Sequence, residues 1–405
     1  MNKFGLLGEH LGHSFSQPIH NMLADYEYML YEKSPEELED FLKNPLLSGM
    51  NVTIPYKKDV ISYCSWLSDT AKKIGSVNTL VLKEDGWHGY NTDYYGFIYM
   101  LNSAGISPKN KKVLILGSGG ASLTAQCAVK DMGASEVVII SRTGENNYDN
   151  ISRHYDAEII INTTPVGMYP NTMGSLIKLE NFKKCKGVVD IIYNPSLTKL
   201  ICDAKRLGIP CTNGLTMLVA QAKAACEIFK DEKIADEKID EIVKKIESGL
   251  KNIVLIGMPG SGKSRIGALL SKSLSRPLAD CDQMIVERAG NIEKIFAEHG
   301  EEYFRNIETE VIQDISKESG YIISTGGGCV TRERNYPLLH QNSFIIWLKR
   351  DISALSTDGR PLSKMGNLEE MYRVRKPMYE RFCDFEIDNN GSPEETVRKI
   401  KECIL

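Results

Sequence analysis

A chain of 405 residues is too long for one ordinary hydrophobic core, so two or three domains are expected. Its 42% apolar and 25% charged residues are those of a soluble globular protein, and a net charge of −4 offers no basic stripe for nucleic acid or polybasic patch for a membrane. The start, MNKFGLLGEHLGHS, lacks the apolar stretch of a signal peptide, no run approaches the ~18 apolar residues of a membrane span, and ten scattered cysteines without a CxxC pair read as reduced thiols in a cytoplasm.

Short, nearly continuous apolar runs alternate with helical stretches along the whole chain. They are Lys112–Leu116, Glu136–Ile140, Glu158–Ile161, Gly187–Ile191, Asn252–Ile256, Tyr321–Ser324 and Phe344–Leu348. Runs of this kind belong to parallel sheets covered on both faces, so the architecture is α/β, built more than once.

In chain order, Gly8 to Asn21 (GEHLGHSFSQPIHN) places the Ser14 and Ser16 hydroxyls on alternate positions, able to bond one ligand. The plain alternative is a serine-bearing turn after a first strand. Gly49 to Lys57 (GMNVTIPYK) spaces amide, hydroxyl and ammonium groups, including Thr53, along one extended stretch. Asn78 follows in GSVNT and Asp93 in GYNTDYYG. A lysine with an aspartate nearby suits proton handling at a carbonyl being reduced, and spacing alone equally allows a surface salt bridge. Strand Lys112–Leu116 then opens into Gly117-Ser118-Gly119-Gly120-Ala121 and a helix over Leu123–Met132, a dinucleotide-binding turn at a helix N-terminus. The next strand ends in Ser141-Arg142-Thr143, and arginine there suits the 2′-phosphate of NADP where an acidic residue would mark NAD.

Between Phe229 and Leu250, Ile234, Ile239, Ile242, Val243 and Ile246 fall at helical spacing, which predicts an amphipathic helix. The major boundary is placed after it, near Ser248–Lys251.

The N-terminal motifs resemble the shikimate dehydrogenases over roughly residues 1–245. The resemblance implies that Ser14, Ser16, Thr53, Asn78, Asp93 and Gln221 bind substrate, with Lys57 and Asp93 as the catalytic pair. NTTPVGM (162–168), Tyr193 and Asn213-Gly214-Leu-Thr-Met217 would border nicotinamide and substrate, and Gly117–Ala121, Arg142, Thr143 and Gly214 would hold the cofactor. Because Gln221 lies on a helix returning to the first half, the Rossmann-like unit becomes an insertion. The stretch between Thr143 and Glu158 is shorter than that family usually carries, and NADP preference rests on Arg142.

Strand Asn252–Ile256 runs into Gly257-Met-Pro-Gly260-Ser261-Gly262-Lys263-Ser264 and a helix over Arg265–Leu274. This is a P-loop in its required strand–helix context: backbone N–H groups curl around phosphate, Lys263 balances charge, and Ser264 ligates Mg²⁺. Asp280-Cys-Asp282 follows, read as two carboxylates on one strand end, one for metal and one for an acceptor hydroxyl. GEEYFRNIE (300–308) offers Arg305, the side-chain-free loop Gly326-Gly327-Gly328 follows a strand, and RPL and RKPMY supply Arg360 and Arg375. Singly, each is also explained as a cap, a surface arginine or a turn.

Together they resemble the shikimate kinases over nearly all of residues 251–405. That implies Asp282 on the substrate hydroxyl, Asp280 and Ser264 on the metal, and Arg305 and Arg375 on the substrate carboxylate. Gly327 and Gly328 would touch the ring, and Gly260–Arg265 with the lid arginine Arg360 would hold ATP. The segment from Trp347 to Arg360 is shorter than many of that family carry. A gluconate or nucleoside monophosphate kinase would not need this arginine pair around a DxD.

The expected whole is a substrate domain (1–100 and 210–248) with an inserted Rossmann-like NADP domain (101–209), then a P-loop kinase domain with a parallel sheet (249–405). Its expected chemistry is NADPH-dependent reduction of 3-dehydroshikimate to shikimate, then Mg²⁺- and ATP-dependent phosphorylation of shikimate. Lys263 and Asp282 are the catalytic pair of the second step, and the chain is a monomer or a homodimer. Two rivals are a non-catalytic metabolite sensor, which predicts erosion at Lys57, Asp93, Lys263 or Asp282, and quinate oxidation with NAD in the first half.

Overall fold

The computed structural model describes residues 3–12, 14–169, 171–172, 174–355 and 368–404. The chain divides into two compact units: Met1–Gly167 with Gly174–Tyr193 and Leu200–Lys245, and Ile246–Leu405 with Met168–Met173 and Asn194–Lys199.

The first unit holds two sheets. Strands β1 (Lys3–Gly8), β2 (Glu27–Glu32), β3 (Gly49–Val52), β4 (Cys64–Leu67), β5 (Thr79–Lys83) and β6 (Gly86–Tyr90) form a six-stranded sheet in the order β2-β1-β3-β5-β6-β4. β1 runs parallel to β2 and β3, whereas β5 pairs antiparallel with β3 and β6. One face of β1 is closed from far along the chain. Phe4 stacks on Phe229 of helix Leu215–Lys230 at 4.6 Å between ring centroids. Beside them, His20 stacks on Tyr28 at 4.0 Å. Burial lowers the His20 pKa to about 3, so this ring is a neutral part of the core.

β7 (Lys112–Leu116), β8 (Glu136–Ile140), β9 (Ile159–Asn162), β10 (Gly187–Asp190) and β11 (Cys211–Thr212) form an all-parallel sheet in the order β11-β10-β9-β7-β8. Every residue of β9 and β10 is buried, as continuous apolar strands covered on both faces require. Helix Asp93–Ser103 leads from the first sheet to the second, and helix Leu215–Lys230 returns. The two pack closely at Gly96, where an added Cβ would lie 2.6 Å from the Met217 carbonyl and 3.0 Å from the Gln221 amide. The missing side chain lets the backbones meet.

The helix expected between Phe229 and Leu250 is interrupted. Asp231 takes a left-handed conformation (φ 54°) and ends the preceding helix, and a new helix begins at Glu237. Ile234 therefore lies in the connection, its amide donating to Glu227 Oε1 at 2.8 Å, while Ile239, Ile242 and Ile246 are buried on the new helix.

The second unit carries β12 (Asn252–Ile256), β13 (Leu278–Asp280), β14 (Ile322–Ser324), β15 (Ser343–Lys349) and β16 (Phe385–Asp388), all parallel, in the order β13-β14-β12-β15-β16. Alternate residues of the central strands enter opposite cores. Val254, Ile256, Ile323, Ile345 and Trp347 pack on one face, and Ile253, Leu255, Ile322, Ile346 and Leu348 on the other. Of the described residues, no helix is long and apolar enough to cross a membrane.

Candidate active sites

In the first unit, β3 ends at Val52 and the chain turns, so the extended stretch expected to reach Lys57 stops short. The turn carries Lys57 over the sheet end, where its carbonyl accepts from the Val77 amide at 2.8 Å. Asp93 opens helix Asp93–Ser103, and Lys57 Nζ donates to its Oδ2 at 2.6 Å. The pair is partly open, with side-chain exposures of 27% and 16%, as a pair that meets a ligand must be.

Beneath it lies a buried amide–hydroxyl network. Asn78 Oδ1 accepts from the Thr92 amide at 2.7 Å and from the Thr79 hydroxyl at 3.1 Å. Asn51 Nδ2 donates to Thr79 Oγ1 at 3.1 Å, and the Tyr28 hydroxyl donates to Asn51 Oδ1 at 2.8 Å. The Gln221 Oε1 accepts from Asn78 Nδ2 and the Thr92 hydroxyl, both at 3.5 Å. Three strands and the returning helix thus hold Asn78 and Gln221 together. Ser14 is in the loop after β1 and Ser16 begins helix Ser16–Leu23, its amide donating to Ser14 Oγ at 3.2 Å. Phe15 between them meets the Tyr193 ring edge-on at 5.8 Å, which brings Tyr193 to the same loop. Thr53 follows β3, its amide donating to the Leu7 carbonyl at 2.9 Å.

At the end of β7, Gly117 has φ 105°, and a Cβ there would lie 2.9 Å from Thr163 Oγ1. Helix Gly120–Asp131 starts without a side-chain cap, and Ser118, Gly119 and Gly120 are open to solvent or nearly so. Open, uncapped amides at a helix N-terminus fit a pyrophosphate. Ala121 is half-buried in the first turn. Arg142 and Thr143 follow β8 and are exposed; Arg142 has no acidic partner among the described residues. Gly214 precedes helix Leu215–Lys230, and a Cβ on it would overlap the Ile191 backbone.

In the second unit, one cavity of about 710 Å³ is lined by the P-loop residues Gly260, Gly262, Lys263, Ser264 and Arg265 and by Asp282, Arg305, Gly326–Gly328 and Arg375. Gly262, at φ 92°, starts helix Lys263–Leu274, which like the other has no side-chain cap. Lys263 Nζ bridges the Gly257 and Met258 carbonyls at 2.9 and 3.0 Å. Ser261 is wholly buried, its carbonyl accepting from Asn389 Nδ2 at 2.6 Å. The Ser264 hydroxyl donates to Asp280 Oδ2 at 2.6 Å, two hard oxygen donors in contact, which is the donor set magnesium prefers.

Asp280 and Asp282 do not share a strand. Asp280 closes β13 and caps helix Cys281–Ala289, its Oδ1 accepting from the Asp282 and Gln283 amides at 3.1 and 3.3 Å. Aspartate favours that capping position, so the helix starts one residue before Asp282 and turns it into the cavity.

Arg305 is buried between two carboxylates on the stretch Ile292–Ile315, which is helical on either side of a break at Gly300. Its Nη1 donates to Glu308 Oε2 at 2.8 Å, and its Nε and Nη2 to Glu301 Oε1 at 3.2 and 3.0 Å. Glu308 is wholly buried; burial pushes its carboxyl up, against the opposing pull of Arg305. Arg375 Nη1 and the Tyr379 hydroxyl both donate to the Gly327 carbonyl, at 3.2 and 2.5 Å. The triplet is glycine for steric reasons. A Cβ on Gly328 would overlap the Arg305 guanidinium, one on Gly327 would lie 2.6 Å from Pro259, and one on Gly326 would overlap Glu308 Oε1. Gly328→Ala therefore displaces Arg305 and should raise the KM for a carboxylate acceptor about ten- to a hundredfold, the value of a hydrogen bond to a charged group. An unchanged KM in a steady-state assay would mean Arg305 does not hold the acceptor. Arg360 lies outside the described residues.

Sequence reasoning assigns no role to Glu308, Thr92, Tyr28 or Arg350, and takes Asn51 only as the amide of the Gly49–Lys57 stretch. Only Glu308 carries a local signal, an acid three residues after Arg305 on a helix.

Fold and sites together define an α/β enzyme of two units, each with a glycine-rich, phosphate-type turn. A model described as the shikimate dehydrogenase substrate binding domain matches residues 6–80, and one described as shikimate kinase matches residues 259–405. The shikimate dehydrogenase (NADP(+)) of Clostridium beijerinckii is 37% identical over 57% of this chain and 93% of its own; that of Clostridium perfringens strain 13 is 37% identical over 61% and 99%. Among solved structures, a chorismate mutase/shikimate 5-dehydrogenase fusion protein from Clostridium acetobutylicum is similar with TM-score 0.59 and 38% identity, over 61% of this chain and 97% of that one. Shikimate 5-dehydrogenase from Thermus thermophilus, solved with NADP(H) and shikimate, has TM-score 0.56 and 27% identity, over 60% and 99%. The chain belongs to the shikimate dehydrogenase family and carries a shikimate kinase domain in its C-terminal part. It is an oxidoreductase and a kinase in one polypeptide.

Proposed function

We propose that the first unit reduces 3-dehydroshikimate to shikimate with NADPH and that the second phosphorylates the shikimate 3-hydroxyl with ATP and Mg²⁺. The observation that carries the reading is the shared cavity of the second unit: a P-loop and two buried arginines on a glycine loop call for a phosphoryl donor beside a small carboxylate. The first unit's product, on this reading, is such a carboxylate. The substrate domain is then 1–100 with 210–248, the NADP domain 101–209 and the kinase domain 249–405, working on small molecules in the cytoplasm.

In the first reaction NADPH supplies the hydride. Lys57 gives the proton to the forming alkoxide, and Asp93, 2.6 Å away, aims the ammonium. Asn78, Gln221, Ser14, Ser16 and Thr53 hold hydroxyls and carboxylate, and Tyr193 and Gly214 border the nicotinamide and the substrate. Gly117–Ala121 take the pyrophosphate and Arg142, with Thr143, the 2′-phosphate. In the second reaction Ser264 and Asp280 would hold Mg²⁺, which would supply positive charge to the phosphates. Asp282 accepts the proton of the acceptor hydroxyl, Arg305 and Arg375 fix the carboxylate on Gly327 and Gly328, and Lys263 with Arg360 stabilises charge on the transferred group. Lys57, Asp93, Lys263 and Asp282 are all present, which favours an enzyme over a sensor.

The full chain given 3-dehydroshikimate, NADPH, ATP and Mg²⁺ should consume both nucleotides and release shikimate 3-phosphate. Comparable rates of quinate oxidation with NAD would overturn the assignment of the first unit.

A further inference from the structure

The geometry points to Arg350 as a further phosphate-binding residue for the nucleotide of the second unit, an inference that rests on the ATP reading of that cavity. Arg350 directly follows β15, which pairs in parallel with β12, the strand feeding the P-loop. Ligands of open α/β sheets lie at the carboxyl ends of adjacent strands, and both strand ends open here. Arg350 lines the same cavity as Gly260, Gly262, Lys263 and Ser264.

Its Nη1 lies 3.5 Å from where a Cβ on Gly262 would stand, so the guanidinium rests against the loop whose amides face phosphate. Asn389 holds that loop from beside it, with Nδ2 on the Ser261 carbonyl at 2.6 Å. Arg350 Nε is buried and has no hydrogen-bond partner, and no carboxylate pairs with this arginine among the described residues. A partly buried cation with no carboxylate partner among the described residues, resting against the positive end of a helix, is unfavourable by itself. An anion of several charges on the P-loop relieves this cation. The acceptor carboxylate is not that anion, because its arginines, Arg305 and Arg375, pack against the Gly326–Gly328 loop.

The test uses Arg350→Gln and Arg350→Lys in the full chain, with dehydrogenase turnover as the check of folding. Arg350→Gln should raise the KM for ATP and the Kd for ADP about tenfold, the low end for a charge-assisted hydrogen bond. Arg350→Lys should recover part of that loss, and the Kd for adenosine should not move. An unchanged ADP affinity in the glutamine variant overturns the inference. So does an equal loss for adenosine, which would put Arg350 on the base. A wild-type chain that binds ADP and fails to phosphorylate shikimate would refute the proposed function instead, and the ADP titration would still judge Arg350.

Discussion

Lys263→Ala should remove shikimate phosphorylation, by on the order of a thousandfold or more in kcat, and leave reduction of dehydroshikimate intact. The size follows from chemistry in which the protein contributes mainly position and charge, so that deleting one fixed cation at the transferred group forfeits a large share of the catalysis. The ammonium also bonds the Gly257 and Met258 carbonyls, so its loss slackens the loop that presents the phosphate amides. Those residues belong to the second compact unit, whereas Lys57 and Asp93 belong to the first. Measuring both turnovers on one preparation gives the answer. Loss of both in a folded variant would show that the activities are coupled through this lysine.

Lys57→Ala should lower dehydrogenase kcat about a hundred- to ten-thousandfold, the range for a positioned proton donor, with much smaller change in the KM for dehydroshikimate. The partly exposed pair with Asp93 contributes little to stability, about 1 kcal/mol or less, so the variant should fold. A raised KM with kcat retained would make Lys57 a binding group only. Kinase turnover on added shikimate is the internal control.

The parts of the sites legible in the sequence are those encoded within one loop. The P-loop and the Gly117–Ala121 turn depend on glycines at fixed spacing and on the strand and helix beside them, and both stand where the motifs put them. Lys57 and Asp93 can be nominated by residue type, but their contact is set by the pairing of β3 with β5 and of β5 with β6, which no local pattern fixes. The same holds for Tyr28, Asn51 and Thr92: Tyr28 reaches Asn51, and Asn51 and the Thr92 hydroxyl both reach Thr79, only once the strands are in register. Asp280-Cys-Asp282 reads as strand throughout only when alternation is weighed above the preference of aspartate for a helix cap, and the cap prevails. Arg350 has no motif at all; an arginine after an apolar strand acquires meaning only when the neighbouring strand carries a P-loop.

The stack of Phe4 on Phe229 bears on how the protein is made. A ribosome releases β1 first, yet the helix that closes its face and brings Gln221 to Asn78 emerges only after the whole β7–β11 sheet has been synthesised. The apolar face of β1 therefore has no cover until a complete second sheet has been synthesised. Contacts so distant in sequence form slowly, and the exposed face in the interval is where chaperones would engage the growing chain.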